Sequence, residues 1–208
     1  EPGAWFEMYH QASTGQLTER TISVNPIWFN FQQGGFIGYI LNHSFQRLPD
    51  TFSPVGIDIL AGDYNYFNHQ IYYSTDPSRK ISGGGDLSFG DYFNGRLTST
   101  NLRLQLSPSP HFSLLTQYNQ LNFDQVGTPA ISKKVDLYTV SGRFALNPRI
   151  QLTGFYQLNS ENNLGNYNLR FSWEYQPLSY IYVVFNHRGF DNTLAKRQTE
   201  DHSIIKLS

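Results

Sequence analysis

Gly165-Asn166-Tyr167-Asn168-Leu169-Arg170-Phe171-Ser172-Trp173-Glu174-Tyr175 alternates without a break. Tyr167, Leu169, Phe171, Trp173 and Tyr175 make one set, and Asn166, Asn168, Arg170, Ser172 and Glu174 make the other. Side chains along a strand point to opposite faces in turn, so the segment reads as a strand between two unlike environments. It is also long. Strands that cross a membrane need about 9–11 residues, whereas those of soluble domains usually have about five or six.

The same period extends outward from this segment. In residues 149–159, Ile150, Leu152, Tyr156 and Leu158 alternate with Gln151, Thr153, Gln157 and Asn159. In 138–146, Tyr138, Val140, Gly142, Phe144 and Leu146 oppose Thr139, Ser141 and Arg143. Leu102, Leu104 and Leu106 alternate with Asn101, Arg103 and Gln105, and Ile81, Leu87 and Phe89 with Ser82, Asp86 and Ser88. Residues 111–123 and 177–188 repeat the pattern less regularly. An arginine turned toward lipid costs about 2–4 kcal/mol at the bilayer midplane. Asp86, Arg103, Arg143, Arg170 and Glu174 are therefore expected to face a polar lumen. Tyr167, Leu169, Phe171, Trp173, Leu152 and Phe144 are expected to face lipid.

The connections between these segments alternate in character. Residues 32–35, 76–79, 107–110, 147–149 and 176–179 carry the Gly, Pro, Asn and Ser of tight turns. Residues 49–61, 124–133, 159–164 and 189–202 read as longer polar loops, with the shorter 90–95 in the same phase. Short turns on one rim and long loops on the other are the pattern of outer-membrane barrels. Counting gives about twelve strands, an even number, with the last over residues 203–208. The expected fold class is all-β: an antiparallel up-and-down transmembrane β-barrel occupying residues 1–208 as a single barrel domain, whole or as part of a larger barrel. Aromatic clusters at Trp5 and Phe6, 28–31, 64–67, Tyr72 and Tyr73, Trp173 and Tyr175, and Tyr180 and Tyr182 are expected to form the girdles at the headgroup level.

Composition agrees. Only 15% of residues are charged, against about a quarter in soluble domains, while Tyr, Phe and Trp number 14, 16 and 3. The mean hydropathy of −0.44 would suit a water-soluble chain, but barrels evade such averages because only alternate residues meet lipid. No apolar run approaches the ~20 residues of a membrane helix. The net charge of −1 and the lack of a basic run exclude a nucleic-acid partner, and the absence of cysteine excludes disulfides and thiolate metal sites.

Two segments carry a family resemblance: residues 52–64 (FSPVGIDILAGDY) and residues 169–187 (LRFSWEYQPLSYIYVVFNH). They resemble the C-terminal barrel domain of a large bacterial family whose members carry an N-terminal module similar to family-nine carbohydrate-binding domains. Its members are several times longer than this chain. The resemblance therefore implies that residues 1–208 are the last strands of a longer protein, and the lack of a terminal aromatic in Ile204-Ile205-Lys206-Leu207-Ser208 is expected to mean that the family's last residues are missing here. It implies no catalytic residues.

The residues themselves offer no chemistry. His10, His43, His69, His111, His187 and His202 are scattered, without a metal-binding spacing. His187, Arg188 and Asp191 fall near one rim and read as a solvated loop edge. No nucleophile elbow is present, and His43 and Ser44, adjacent on one strand, point apart. Gly83-Gly84-Gly85 lacks the Lys-Ser/Thr and helix of a phosphate loop and reads as a place of close backbone approach. No cofactor and no metal is expected, and no enzymatic activity.

Three functions fit these residues. The first is a Gram-negative outer-membrane barrel with a polar lumen, a porin-like channel or the membrane component of a carbohydrate-related uptake system. Its partners would be membrane lipid, a small polar solute or glycan, and other envelope proteins. The second is a structural anchor, or a subunit docked in a larger envelope complex. The third is a soluble β-rich carbohydrate-binding protein.

Overall fold

Pro26 sits where the alternation of residues 17–30 should be uninterrupted, and it shows how the sheet tolerates what it cannot pair. Proline donates nothing to a ladder and is confined to edges or bulges. Val24 pairs with Leu41 and Ile27 with Tyr39, so Asn25 and Pro26 bulge out opposite Ile40. Asn25 is buried, and with its amide nitrogen turned to donate it reaches the carbonyls of Tyr39 (2.9 Å) and Ile27 (2.8 Å). The bulge returns Ile27 and Phe29 to the face that carries Val24 and Ile22.

The structure, a computed structural model, describes residues 2–161, 164–192 and 195–207. Twelve strands follow one another: β1 Gly3–His10, β2 Leu17–Asn30, β3 Gly35–Leu48, β4 Gly62–Thr75, β5 Ile81–Tyr92, β6 Gly95–Ser109, β7 Phe112–Val126, β8 Ile131–Asn147, β9 Ile150–Asn159, β10 Leu164–Gln176, β11 Ser179–Asn192 and β12 Ala195–Leu207. They hydrogen-bond in sequence order, in an all-β, antiparallel, up-and-down sheet with β1 and β12 at its edges. Every strand except β1 has at least ten residues, and β8 has 17. Among the described residues the helical content is one 3-10 turn at Pro54–Gly56.

The turns on one rim are as short as expected, with two residues between β6 and β7, β8 and β9, and β10 and β11. The opposite rim differs from expectation. Among the described residues, 49–61 form the longest connection there, and the connection between β9 and β10 falls where 159–164 was expected. β7 runs to Val126 and β8 starts at Ile131, so most of the expected loop 124–133 is strand. β11 and β12 extend through most of 189–202, which also overturns the reading of residues 203–208 alone as the last strand. Polar residues mark a loop only when the sheet has ended, and a two-sided ladder can carry polar side chains beyond the span of a membrane.

Contacts gather into two compact units. The first comprises Glu1–Thr75, Gly84–Asn101 and Gln120–Lys134; the second comprises Asp76–Gly83, Leu102–Asn119 and Val135–Ser208. The first holds the buried cluster Ile57, Ile59, Phe93, Phe123 and Val126. In the second, the register aligns whole rows. Phe144, Leu152 and Phe171 are cross-strand neighbours, as are Val140, Tyr156 and Tyr167, while Ile150, Trp173 and Ile181 make a third row. All lie on one face. Phe144, Leu152, Leu169 and Trp173 are 50%, 44%, 45% and 42% exposed, the reverse of a soluble core.

The aromatic residues divide between faces instead of all standing in girdles. On the apolar face, Phe29 meets Phe31 and Phe31 meets Tyr73 in the first unit, while Tyr118 stacks on Tyr138 and Trp173 meets Tyr175 in the second. On the polar face, Trp28 stacks on Phe36 at 4.8 Å and approaches Tyr72, its ring lying where a Cβ at Gly38 would stand. Tyr64, Tyr66, Tyr180 and Tyr182 share the polar face of their units. The bulge at Pro26 sets the phase of Trp28. Gly84 lies against the Tyr73 carbonyl, 2.6 Å from where its Cβ would be, the close approach expected of the triple glycine.

Candidate functional site

The polar face of the first unit satisfies its own hydrogen bonds. Ser23 Oγ donates to Asn42 Oδ1 (2.6 Å), and Asn42 Nδ2 donates to Asn68 Oδ1 (2.9 Å) and Gln70 Oε1 (3.3 Å). The Tyr72 hydroxyl donates to the same Gln70 oxygen at 2.8 Å. Asp86 lies directly across from Tyr72 and accepts from Asn101 Nδ2 at 2.7 Å. These groups stand on β2, β3, β4, β5 and β6, three of them on β4, because paired residues of an antiparallel ladder share a face. Asn42, almost fully buried, is the hub.

Residues 49–61 turn back over this face as a lid. Tyr64 and Tyr66, in phase with Asn68 and Gln70 on β4, pack beneath it together with Leu48, Tyr92, Leu97 and Leu121. Ile57 and Ile59 are completely buried. Phe93 takes Tyr64, Tyr66 and Tyr92 around its ring at 5.1, 5.5 and 4.7 Å. Polar clips complete the lid. Phe52 and Ile59 exchange two backbone hydrogen bonds of 2.9 Å, Thr128 N–H donates to Asp58 O at 2.8 Å, and Lys133 Nζ donates to Val55 O at 2.5 Å. Gly127, at φ +87°, leaves room for a methyl of Ile57, which would stand 2.6 Å from a Cβ there. Val55 holds φ +48°, a conformation that a β-branched residue adopts only when its surroundings impose it.

The polar face of the second unit is built differently. Arg143, Thr153 and Arg170 form one cross-strand row over β8, β9 and β10. Arg103 on β6 donates to Gln105 Oε1 at 3.2 Å, Arg143 donates to the Pro110 carbonyl at 3.2 Å, and Arg170 lies 4.5 Å from the centre of the Tyr182 ring. Every one of these partners is neutral. Glu174, on the same face, accepts the Leu178 N–H at the turn (3.1 Å). Asn168 bonds Asn186 across β10 and β11. A hollow of about 440 Å³ opens beside Arg143, lined by Gln105, Ser113, Ser141, Thr153 and Asn168 together with Leu114, Leu115 and Phe155.

The register thus brings Arg143, Arg170 and Glu174 onto one polar face, with Arg103 bonded to Gln105, which lines the hollow beside Arg143, and puts Asp86 on the polar face of the first unit. Tyr167, Leu169, Phe171, Trp173, Leu152 and Phe144 share the opposite, apolar face of the second unit. There Gly142 and Gly154 pair directly and leave a shallow groove of about 340 Å³ between Phe144, Leu152, Tyr156 and Leu169. The histidines do not converge. His43 stacks on Phe67 at 4.4 Å, His69 shares a 2.7 Å hydrogen bond with the Tyr39 hydroxyl, and His187 meets Asp201 at 2.6 Å. His43 and Ser44 pair with different partners and point apart, as their adjacency requires. The Asp191 side chain lies outside the described residues. Among the described residues no three histidine, cysteine or carboxylate side chains gather as a metal site would need.

Sequence reading missed the lid and the Asn42 ladder. The alternation of Val55, Ile57 and Ile59 with Gly56 and Asp58, inside a stretch expected as a polar loop, was the available signal for the first. Ser23, Asn42, Asn68 and Gln70 carried none, because each is an ordinary polar residue until the strands are in register.

No family model and no curated protein matches the chain. A solved structure of the NanC porin is similar at 10% identity with a TM-score of 0.43, over 100% of this chain and 97% of that one. A likeness this distant assigns nothing to individual residues.

Proposed function

We propose that these strands form the wall of an outer-membrane β-barrel whose polar faces line a path for small hydrophilic solutes. The observation that carries this reading is the separation of faces in the second unit. Large apolar side chains stand exposed on one side, and arginines, amides and hydroxyls on the other. Burial in an apolar medium stabilises the first set by about 25 cal/mol per Å², and the arginines favour the side that keeps water. Strands of ten or more residues support the same reading. The resemblance of residues 52–64 and 169–187 to the barrel domain that follows a carbohydrate-binding-like module extends the proposal to carbohydrate-related uptake.

The lid favours a second reading. Residues 49–61 cover the polar face of the first unit with a packed apolar cluster, as would suit a barrel that anchors other envelope components and conducts little.

The test is extraction followed by conductance. The full chain should resist salt and carbonate washes, enter detergent, and migrate faster on a gel unheated than boiled. Release without detergent would leave the soluble reading instead. In planar bilayers the folded protein should give discrete current steps; a heat-modifiable protein without steps would favour the anchor.

A further inference from the structure

We propose that the row Arg143–Thr153–Arg170, with Arg103 in the same unit, is a binding stretch for small hydrophilic organic anions; this rests on reading the polar face as a lumen. Neighbouring strands lie about 4.8 Å apart, so Arg143 and Arg170, separated by β9, stand roughly 10 Å apart at the backbone. Guanidinium groups keep their charge at every physiological pH, so proton loss cannot relieve their mutual repulsion. In most proteins a carboxylate does so. Here the partners are the Pro110 carbonyl, the Tyr182 ring and Gln105, and among the described residues no carboxylate pairs with any of the three arginines.

The acid on this face of the second unit is engaged elsewhere: Glu174 accepts the Leu178 N–H at the turn. Each guanidinium has five N–H groups and spends at most one in the hydrogen bonds described, which leaves a fork free for a planar carboxylate. The hollow beside Arg143 supplies Gln105, Ser113, Ser141, Thr153 and Asn168 next to Leu114, Leu115 and Phe155, a mixture of donors, acceptors and apolar surface suited to the hydroxyls and the C–H faces of a sugar ring. A carboxylated sugar or sugar acid satisfies both sets at once, whereas a neutral sugar leaves the charges unanswered. A cation would be repelled along the row.

The experiment measures ion selectivity of the full chain in planar bilayers. Under a KCl gradient, the reversal potential of the wild type should show chloride passing more readily than potassium. Galacturonate should block the current at concentrations where galactose does not. The Arg143→Gln/Arg170→Gln variant should bring the chloride-to-potassium ratio to about one and abolish the block. Should that variant fail to show the heat-modifiable band, Arg143→Lys/Arg170→Lys keeps the charge and removes the fork. It should preserve the sign of the reversal potential while weakening block by galacturonate. A wild type that prefers potassium, equal block by galactose, or galacturonate block unchanged in the folded variants overturns the inference and leaves the channel intact. A folded wild type that passes no current overturns both.

Discussion

In the first unit, polar side chains answer one another; in the second, they are left with capacity to spare. Asn42 ties Ser23, Asn68 and Gln70 into a ladder, Asp86 is held by Asn101, and a packed lid covers the end of the face. Arg103, Arg143 and Arg170 have neutral partners only, beside an open hollow. Both surfaces come from the same alternation of residues. The difference teaches that a polar face can serve as structure or as a site, depending on whether its groups are mutually complementary. Amides, which both donate and accept, satisfy themselves across strands. Guanidinium groups only donate, so a row of them needs something from outside.

The largest test of this contrast lies in the lid. Ile57→Ala should cost about 2–5 kcal/mol, as large-to-small changes in closed cores do, and should open residues 49–61 to limited proteolysis. Unchanged resistance to protease would mean that the clips from Thr128 and Lys133 hold the lid without its apolar cluster. On the second unit, Leu169→Arg should lose about 2–4 kcal/mol of membrane stability, while Asn168→Arg, one residue away, assembles normally. Equal yields of heat-modifiable protein from the two variants would show the faces to be assigned wrongly. Asn42→Leu should cost about 1–3 kcal/mol because three side chains lose a partner, read as a shift of the urea midpoint. Asn168→Leu, which frees only Asn186, should shift it less. If the two shifts matched, the ladder would not act as a unit.

The smallest effect concerns Asp76 in the turn between β4 and β5. The backbone N–H of Ser78 (2.9 Å) and then its hydroxyl (2.7 Å) donate to Asp76 Oδ1 and hold its carboxyl below the usual carboxylate range. A lowered folded value means stability that is present above the ordinary carboxylate pKa and lost as pH falls through the folded one. The stability difference between wild type and Asp76→Ala should therefore be constant near neutral pH and shrink on acidification. A difference that grows at low pH would have the sign wrong.

The two faces were legible because a strand has period two, and Leu169 or Arg170 declares its side without knowing its neighbours. The row of arginines was half legible: each residue could be placed on the polar face, but that Arg143 and Arg170 flank Thr153 depends on register. Trp28 looked like a girdle residue and faces the polar side because one bulge shifts its phase. Arg20 broke the rule that charge turns from the apolar face, pairing across Met8 and Phe45 near the end of β2. The lid was half legible for a different reason. Val55, Ile57 and Ile59 mark an apolar edge in the loop, but Phe93, Phe123 and Val126, which bury it, are distant in the chain.

That distance bears on the order in which the protein is made. Val55 receives the ammonium of Lys133, 78 residues further on, and Ile57 is enclosed by Phe123 and Val126 of β7. A ribosome delivers the loop long before it delivers its enclosure. Until β7 and β8 are laid down, residues 49–61 have nothing to close against, and the loop stays an uncovered apolar segment. Closing so long a chain interval is slow relative to forming a hairpin, so the lid is set among the last events of assembly, after the wall it closes is already standing.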